Sequence, residues 1–156
     1  DDPGRAHVRC LMFIGELKFE PVPGEVGEFE LLSTWTWVDE EFGRVDIPPG
    51  FITDFASTPQ LMRMFKVFDP LSSGSIFGAL PHDWLYCLQD RDRSVCDDIL
   101  RKALIDGGMQ PYAARMYWMG VRMGGWVPWR RRLKKGGGPQ PDDFANPEVY
   151  EKWKNK

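Results

Sequence analysis

The spacing of the apolar residues changes once along the chain, and this change constrains the fold most. In the first third, residues 28–38 alternate and include the run Thr-Trp-Thr-Trp, a composition that suits half-buried strands. Beyond residue 58 the apolar residues recur at helical spacing. Because strands come first and helices follow, the order favours an α+β fold. We predict a small N-terminal antiparallel β region packed against a C-terminal bundle of about four helices.

Proline and glycine residues set the limits of the predicted strands. These strands are expected at about 10–19, 28–38, 44–47 and 51–53. The triplet Pro48-Pro49-Gly50 lies between the last two strands, and because proline cannot donate to a strand ladder, it prevents one continuous strand.

The predicted helices begin after a Thr-Pro pair. Thr58 suits an N-cap and Pro59 a first helical turn, so a short helix is expected there. Small residues at 72–78 predict a loop after it. Three longer helices then follow, at about 79–89, 94–105 and 111–123.

Length and composition limit the number of domains and the class of protein. The chain has 156 residues, of which 42% are hydrophobic and 28% charged, which excludes a disordered chain. We predict one α+β domain over residues 1–126, followed by a tail at 127–156 that is basic and aromatic at first and then rich in Gly and Pro. A net charge of −3 argues against nucleic-acid binding as the main task.

The cysteines and the apolar runs indicate where such a chain works. Three widely spaced cysteines do not form the framework of a disulfide-rich secreted domain, so a reducing compartment is expected. No apolar run approaches the length of a membrane span, and no cationic-then-apolar leader opens the sequence. We therefore expect neither a transmembrane segment nor a signal peptide.

One of the two histidines lies in a motif that could carry chemistry. His82 begins the string H-D-x-x-Y, and His82 and Tyr86 share one helix face, whereas Asp83 is rotated by about 100° from His82. The alternative is a histidine and an aspartate in a first helical turn. Asp83 would then favour the helix N-terminus, and His82 would be a half-buried imidazole with its hydrogen bonds satisfied.

Asp97 is the second candidate. It borders the apolar face of its predicted helix, and a carboxylate at a buried edge needs a partner. A histidine on the preceding antiparallel helix is within reach, so Asp97 is predicted to orient His82. The alternative is that Asp97 closes a capping box that begins at Ser94.

The segment after the last predicted strand offers Asp54 and Ser57. Polar side chains at a strand end, in a loop before a helix, occupy a typical place for a functional site, although Asp54 also suits a turn-capping role. No G-x-S-x-G surrounds Ser57, which argues against a hydrolase-type serine nucleophile. The absence of C-x-x-C and H-E-x-x-H argues against a zinc site.

Basic and aromatic residues near the C-terminus suggest contacts inside and outside the chain. Arg122 is a candidate ion-pair partner for an aspartate at position 54, 83 or 97, or else a solvated, snorkelling side chain. Residues 126–135 hold five basic residues and two tryptophans. They could touch phosphates or a lipid surface, or form a solvated tail or a docking strip for a protein partner.

Several of these segments together resemble a phage and prophage family. They are residues 50–59, residues 81–86 with the H-D-x-x-Y string, Arg93 with Asp97, and Tyr117 with Val121-Arg122 and Gly124. The family is a domain of unknown function, number thirteen fifty-three, and the resemblance covers about residues 45–126. It implies a phage context, in the virion or in the host cytoplasm, and no settled activity.

The H-D-x-x-Y string is also similar to the helix motif of phospholipases A2. In those enzymes the histidine activates water, the adjacent aspartate binds calcium, and a carboxylate from an antiparallel helix orients the histidine. The resemblance implies that His82 is the base, Asp83 a calcium ligand, Asp97 the orienting acid and Tyr86 a supporting residue. Backbone carbonyls at 72–78 are the further calcium ligands it suggests. The flanking cysteines and the glycine-rich calcium loop of those enzymes are absent here.

Two hypotheses follow from these residues. The first is a hydrolase of a cell-envelope substrate, an acyl ester or an amide, with calcium as candidate cofactor. Its catalytic residues would be His82, Asp97 and Asp54, with Asp83 as metal ligand, supported by the side chains Tyr86, Ser57 and Arg122. The second is a non-catalytic virion structural or assembly protein in which a buried His-Asp network fixes the fold. Expected partners are other virion proteins, a lipid or envelope substrate and further copies of the chain, rather than nucleic acid.

Overall fold

The computed structural model describes residues 12–55 and 73–156. In its N-terminal part, six short strands form two three-stranded antiparallel sheets, with the orders β1-β4-β5 and β2-β3-β6. The strands are β1 Phe13–Ile14, β2 Phe19–Pro21, β3 Phe29–Leu31, β4 Trp35–Asp39, β5 Gly43–Ile47 and β6 Ile52–Thr53.

Two of the predicted strands are each divided between the two sheets. The segment 28–38 forms β3 and β4, and 10–19 contains β1 and β2. Gly15 has φ +97°, and a Cβ there would lie 2.6 Å from the carbonyl oxygen of Thr34. The breaks in the two segments therefore lie against each other, and this close approach requires glycine. The prediction of two continuous strands was wrong for this reason.

The separation of the last two strands is confirmed. β5 ends at Ile47 and β6 begins at Ile52, in different sheets. Gly50 has φ +83°, and its N–H donates to the carbonyl of Leu31 over 2.6 Å. The Pro-Pro-Gly turn therefore carries the chain from one sheet to the other.

Five helices and one 3-10 turn follow in the described residues. They are α1 Ser73–Leu88, α2 Arg93–Asp106, α3 Pro111–Gly124, α4 Trp126–Lys134, the 3-10 turn Pro141–Asp143 and α5 Pro147–Lys154. The three long helices predicted from spacing are all present, and the α+β class is confirmed. The helix predicted from Thr58 lies outside the described residues.

The first long helix begins earlier than predicted. The expected loop at 72–78 is wrong from Ser73 onward, because α1 already begins there; Ser72 lies outside the described residues. A Cβ on Gly78 would clash with the side chain of Leu104 and lie 3.0 Å from the carbonyl of Leu100. The small residues thus allow α1 and α2 to approach each other closely.

The segment predicted as a tail contains α4, the 3-10 turn and α5. Its Phe144 is buried and forms an isolated β-bridge with Phe51. The Phe144 ring also lies 6.2 Å from the Trp84 ring of α1 and 5.7 Å from the Trp153 ring of α5. The C-terminal residues therefore pack against both the β region and α1.

The main core lies between the β region and the helices. It contains large buried side chains from both parts, among them Trp35, Trp37, Leu80, Leu85 and Ile99. Within residues 12–55 and 73–156, no helix combines the length and the apolarity that crossing a membrane requires.

Candidate functional site

A cleft of about 870 Å³ opens between the β region and the helices. Its wall is formed by the end of β6, the middle of α1, the first turns of α4 and the 3-10 turn. The polar side chains on the wall include most of the residues singled out from the sequence, namely Asp54, His82, Asp83 and Tyr86. The structure therefore brings residues from separate segments to one cleft.

His82 is paired with Asp97 across the interface of α1 and α2. The His82 Nε2 lies 3.0 Å from the Asp97 Oδ1, and the two residues are only 2% and 0% exposed. The short connection between the two helices places these side chains face to face. The expected partnership between His82 and Asp97 is present as a direct hydrogen bond.

Three further donors converge on the Asp97 carboxylate. The Tyr86 hydroxyl donates to Oδ1 over 2.6 Å, and Arg93 and Arg122 donate to Oδ2 from their Nη1 atoms over 3.1 and 3.3 Å. Arg122 is thus paired with Asp97, one of the three aspartates considered for it. The network joins α1, α2 and α3 around one buried carboxylate.

These contacts decide the ionisation of the network. Burial alone would raise the pKa of Asp97, but hydrogen bonds from His82 and Tyr86 and the charge of Arg93 hold that pKa below its usual range. Burial, reinforced by the hydrogen bond to Asp97, raises the pKa of Tyr86. Near neutral pH the carboxylate is therefore ionised, and the phenol keeps the proton that it donates.

The helix bounds contradict the first-turn position of His82 and the capping box at Ser94, but the first alternative also expected a His82 imidazole with its hydrogen bonds satisfied, and that part is not contradicted. Because α1 begins at Ser73, His82 and Asp83 lie deep inside the helix and not in its first turn. The N-cap of α2 is Asp92, without a side-chain capping hydrogen bond. Ser94 is therefore inside α2 and cannot begin a capping box with Asp97.

Asp83 connects α1 to the end of β6. Its Oδ2 accepts a hydrogen bond of 2.7 Å from the Thr53 hydroxyl, and the same hydroxyl oxygen accepts one of 3.1 Å from the Phe55 N–H. Phe55 has φ +50°, an uncommon value for a residue other than glycine. The contacts of Asp83 and Thr53 thus hold the segment that carries Asp54, which is exposed at the cleft.

The described residues do not form a calcium site at Asp83. Calcium prefers six to eight oxygen ligands, whereas the described ranges contain no group of three or more His, Cys, Asp and Glu side chains arranged to hold a metal ion. The backbone of 73–78 is helical, so those residues do not form the loop of carbonyl ligands that we expected. We therefore derive no step through calcium. Ser57 lies outside the described residues.

The described cysteines are unsuited to nucleophilic catalysis. Cys87 and Cys96 are free thiols. Burial raises the pKa of both, to about 12 for Cys96, and the neighbouring carboxylates Asp143 and Asp97 add to the effect at Cys87 and Cys96 respectively. Although Cys87 lines the cleft, its thiol stays protonated near neutral pH.

Sequence reasoning missed two contributors to this site. Thr53 belongs to the segment 50–59 of the family resemblance, but its hydrogen bond to Asp83 is not predicted by the sequence. Arg131 of α4 brings a positive charge to the cleft wall, whereas the sequence predicts only a tail at 127–156. Arg93, which the family resemblance already names together with Asp97, lies four residues before it in α2 and donates to its carboxylate.

Fold and site together define an α+β protein with a buried His-Asp pair at the wall of a cleft. Residues 29–121 match the family model described as Protein of unknown function (DUF1353). The chain belongs to this family. The match runs from β3 into α3, so it begins earlier than residue 45 and ends before Arg122. Comparison with curated proteins and with solved structures produced no match.

Proposed function

We propose that this chain is a phage-associated hydrolase of a cell-envelope substrate, an acyl ester or an amide, that acts in the virion or in the infected cell. The observation that carries the proposal is the hydrogen bond between His82, which lines a cleft, and the ionised, buried Asp97 behind it. A histidine oriented by a carboxylate is suited to general acid–base catalysis near neutral pH.

His82 would act as the base that activates water. Its Nε2 is engaged by Asp97, and we assign the proton transfer to Nδ1. A water molecule gives a proton to Nδ1 while its oxygen adds to the carbonyl carbon of the substrate. The tetrahedral intermediate then expels the alkoxide or amine, which takes the proton back from the imidazolium.

The neighbours of His82 would hold the base and the substrate. Ionised Asp97 keeps the imidazole oriented and stabilises its protonated form during the reaction. Arg131 offers a positive charge at the cleft wall for the developing oxyanion. Asp54 and Asp83 line the same wall and would orient the water or the leaving group.

The test is a substrate panel with the purified full chain. The panel contains a short-chain p-nitrophenyl ester, phosphatidylglycerol and peptidoglycan fragments, which present the acyl esters and amides of a cell envelope. We expect release of acid or amine from at least one of them above the buffer rate. No release from any ester or amide in the panel would contradict the proposal.

A second candidate function is favoured by the burial of the network. Because His82 and Asp97 are almost completely inaccessible, the same hydrogen bonds would also fix the packing of α1, α2 and α3 in a non-catalytic virion structural or assembly protein. A structural protein of this kind would not turn over any substrate, and it would bind other virion proteins. The panel and the variants of His82 separate the two candidates.

A further inference from the structure

One face of α3 exposes a stripe of large apolar side chains. It consists of Tyr112, Met116, Met119 and Met123, each between 44% and 71% exposed. Their spacing of four, three and four residues places them on one side of the helix. The buried residues of α3 face the opposite side: Ala114, Tyr117 and Val121. The described residues therefore leave this face without a packing partner.

The stripe continues into α4. Gly125, between the two helices, has helical φ and ψ of −67° and −14°. Its N–H donates to the Val121 carbonyl over 2.7 Å, and its own carbonyl accepts from the Trp129 N–H over 3.1 Å. Trp126 and Val127 follow Met123 by three and four positions. Because the helical hydrogen bonds continue, these two residues lie on the same side as the stripe and extend its exposed surface.

The segment that carries the stripe is strongly basic. Residues 111–135 contain seven Arg and Lys and no Asp or Glu. Since the whole chain carries −3, the +7 of this segment leaves −10 for the other residues. Arg122 and Arg132 are engaged in ion pairs with aspartates. The remaining five are exposed: Arg115, Arg130, Arg131, Lys134 and Lys135.

We propose that this stripe, together with its flanking basic residues, binds the surface of an anionic lipid bilayer. Transfer of Met and Val side chains from water into the boundary between headgroups and acyl chains is favourable, and the exposed cations attract anionic headgroups. Arg130 lies 5.6 Å from the Trp126 ring, an arrangement suited to a membrane interface. Nucleic acid would use the cations and aromatic rings but would leave the methionines without a favourable contact.

The bilayer surface adjoins the cleft. Val127 and Arg131 contribute both to the exposed surface and to the cleft wall. A bilayer bound at the stripe would therefore lie beside the cleft that contains His82. The substrate class of the cleft would then be the acyl ester of a membrane lipid. This assignment rests on the proposed hydrolysis, whereas the proposed binding to the bilayer does not depend on it.

Cosedimentation of the full chain with lipid vesicles tests the binding. Vesicles of phosphatidylcholine alone are compared with vesicles that contain about 30% phosphatidylglycerol. We expect binding to the anionic vesicles, weakened when salt rises from about 0.05 M to about 0.5 M. The double variant Met119→Ser/Met123→Ser should bind about ten-fold more weakly, because it removes two apolar contacts. The matched control Val26→Ser/Leu32→Ser, also exposed but outside the stripe, should bind like wild type.

Three results would overturn the inference. They are no binding to anionic vesicles, equal binding by the stripe variant, and binding to a single-stranded oligonucleotide without binding to vesicles. If the stripe variant does not fold, Arg115→Gln/Arg130→Gln/Lys134→Gln tests the electrostatic part and should lose binding to anionic vesicles. His82→Gln should bind vesicles like wild type, so a failure of the proposed hydrolysis leaves this test unaffected.

Discussion

Asp97→Asn is expected to lower the free energy of unfolding by about 3–5 kcal/mol. The Asp97 side chain is completely buried and accepts hydrogen bonds from Tyr86, Arg93 and Arg122. Asparagine has nearly the same shape but no charge. The two guanidinium groups would therefore lose their buried counter-charge, and one donor would face the amide NH₂ instead of a carboxylate oxygen.

Urea unfolding of the wild type and the variant measures this loss, and the next residue provides a matched control. Asp98 accepts a hydrogen bond from the Trp118 indole over 2.7 Å, and Asp98→Asn keeps an acceptor oxygen for it. We expect Asp98→Asn to change the free energy of unfolding by less than about 1 kcal/mol. Equal effects of the two substitutions would contradict a special role for the Asp97 network.

The same network predicts how stability depends on pH. Because the pKa of Asp97 is lower in the folded protein than its ordinary value, the folded state binds fewer protons than the unfolded state in acid. This contribution is fully present above about pH 4 and is lost as the pH falls through the folded pKa of Asp97. Asp97→Asn should therefore lose less stability than wild type between neutral pH and acid.

His82→Gln is expected to lower turnover of the substrate found in the panel by about 10²- to 10⁴-fold. Glutamine can present an N–H near the position of the imidazole Nε2, so the donor to Asp97 is retained. It cannot accept and return a proton as imidazole does. A large loss of turnover with a small change in unfolding free energy is therefore the expected combination.

The second histidine of the chain provides the control for this variant. His7→Gln removes the other imidazole, and its turnover should equal that of the wild type. Unchanged turnover in His82→Gln would contradict the base role. Parallel losses of turnover and stability in His82→Gln would also contradict it, because the imidazole would then serve the fold and not the proton transfer.

Residue spacing was sufficient to predict the helical half and the pairing of His82 with Asp97. Both residues lie on long helices with a short connection, where the apolar spacing determines which faces meet. The partner of Arg122 was open, because three aspartates were within plausible reach and only the packing of α3 chooses among them. Local sequence patterns identify Arg122 as a candidate for an ion pair, whereas the packing of the helices determines that its partner is Asp97.

The errors lie where close packing overrides local preference. Residues 73–78 resemble a loop in composition, yet Gly78 is small because Leu104 of α2 occupies the space beside it. Gly15 similarly divides a strand because the Thr34 carbonyl lies against it. The return of Phe144 to the core depends on its contacts with Phe51 and Trp84, which are far away in sequence and leave no local signal.

The central claim is that His82 is a base held at Nε2 by ionised Asp97. Nitrogen NMR of the two histidines tests the claim most directly, because it reports which imidazole nitrogen carries the proton. His7→Gln identifies the His82 signals. We predict that near neutral pH Nε2 carries the proton and Nδ1 does not. A proton on Nδ1 with an unprotonated Nε2 would contradict the account, because the nitrogen that must accept a proton from water would already hold one.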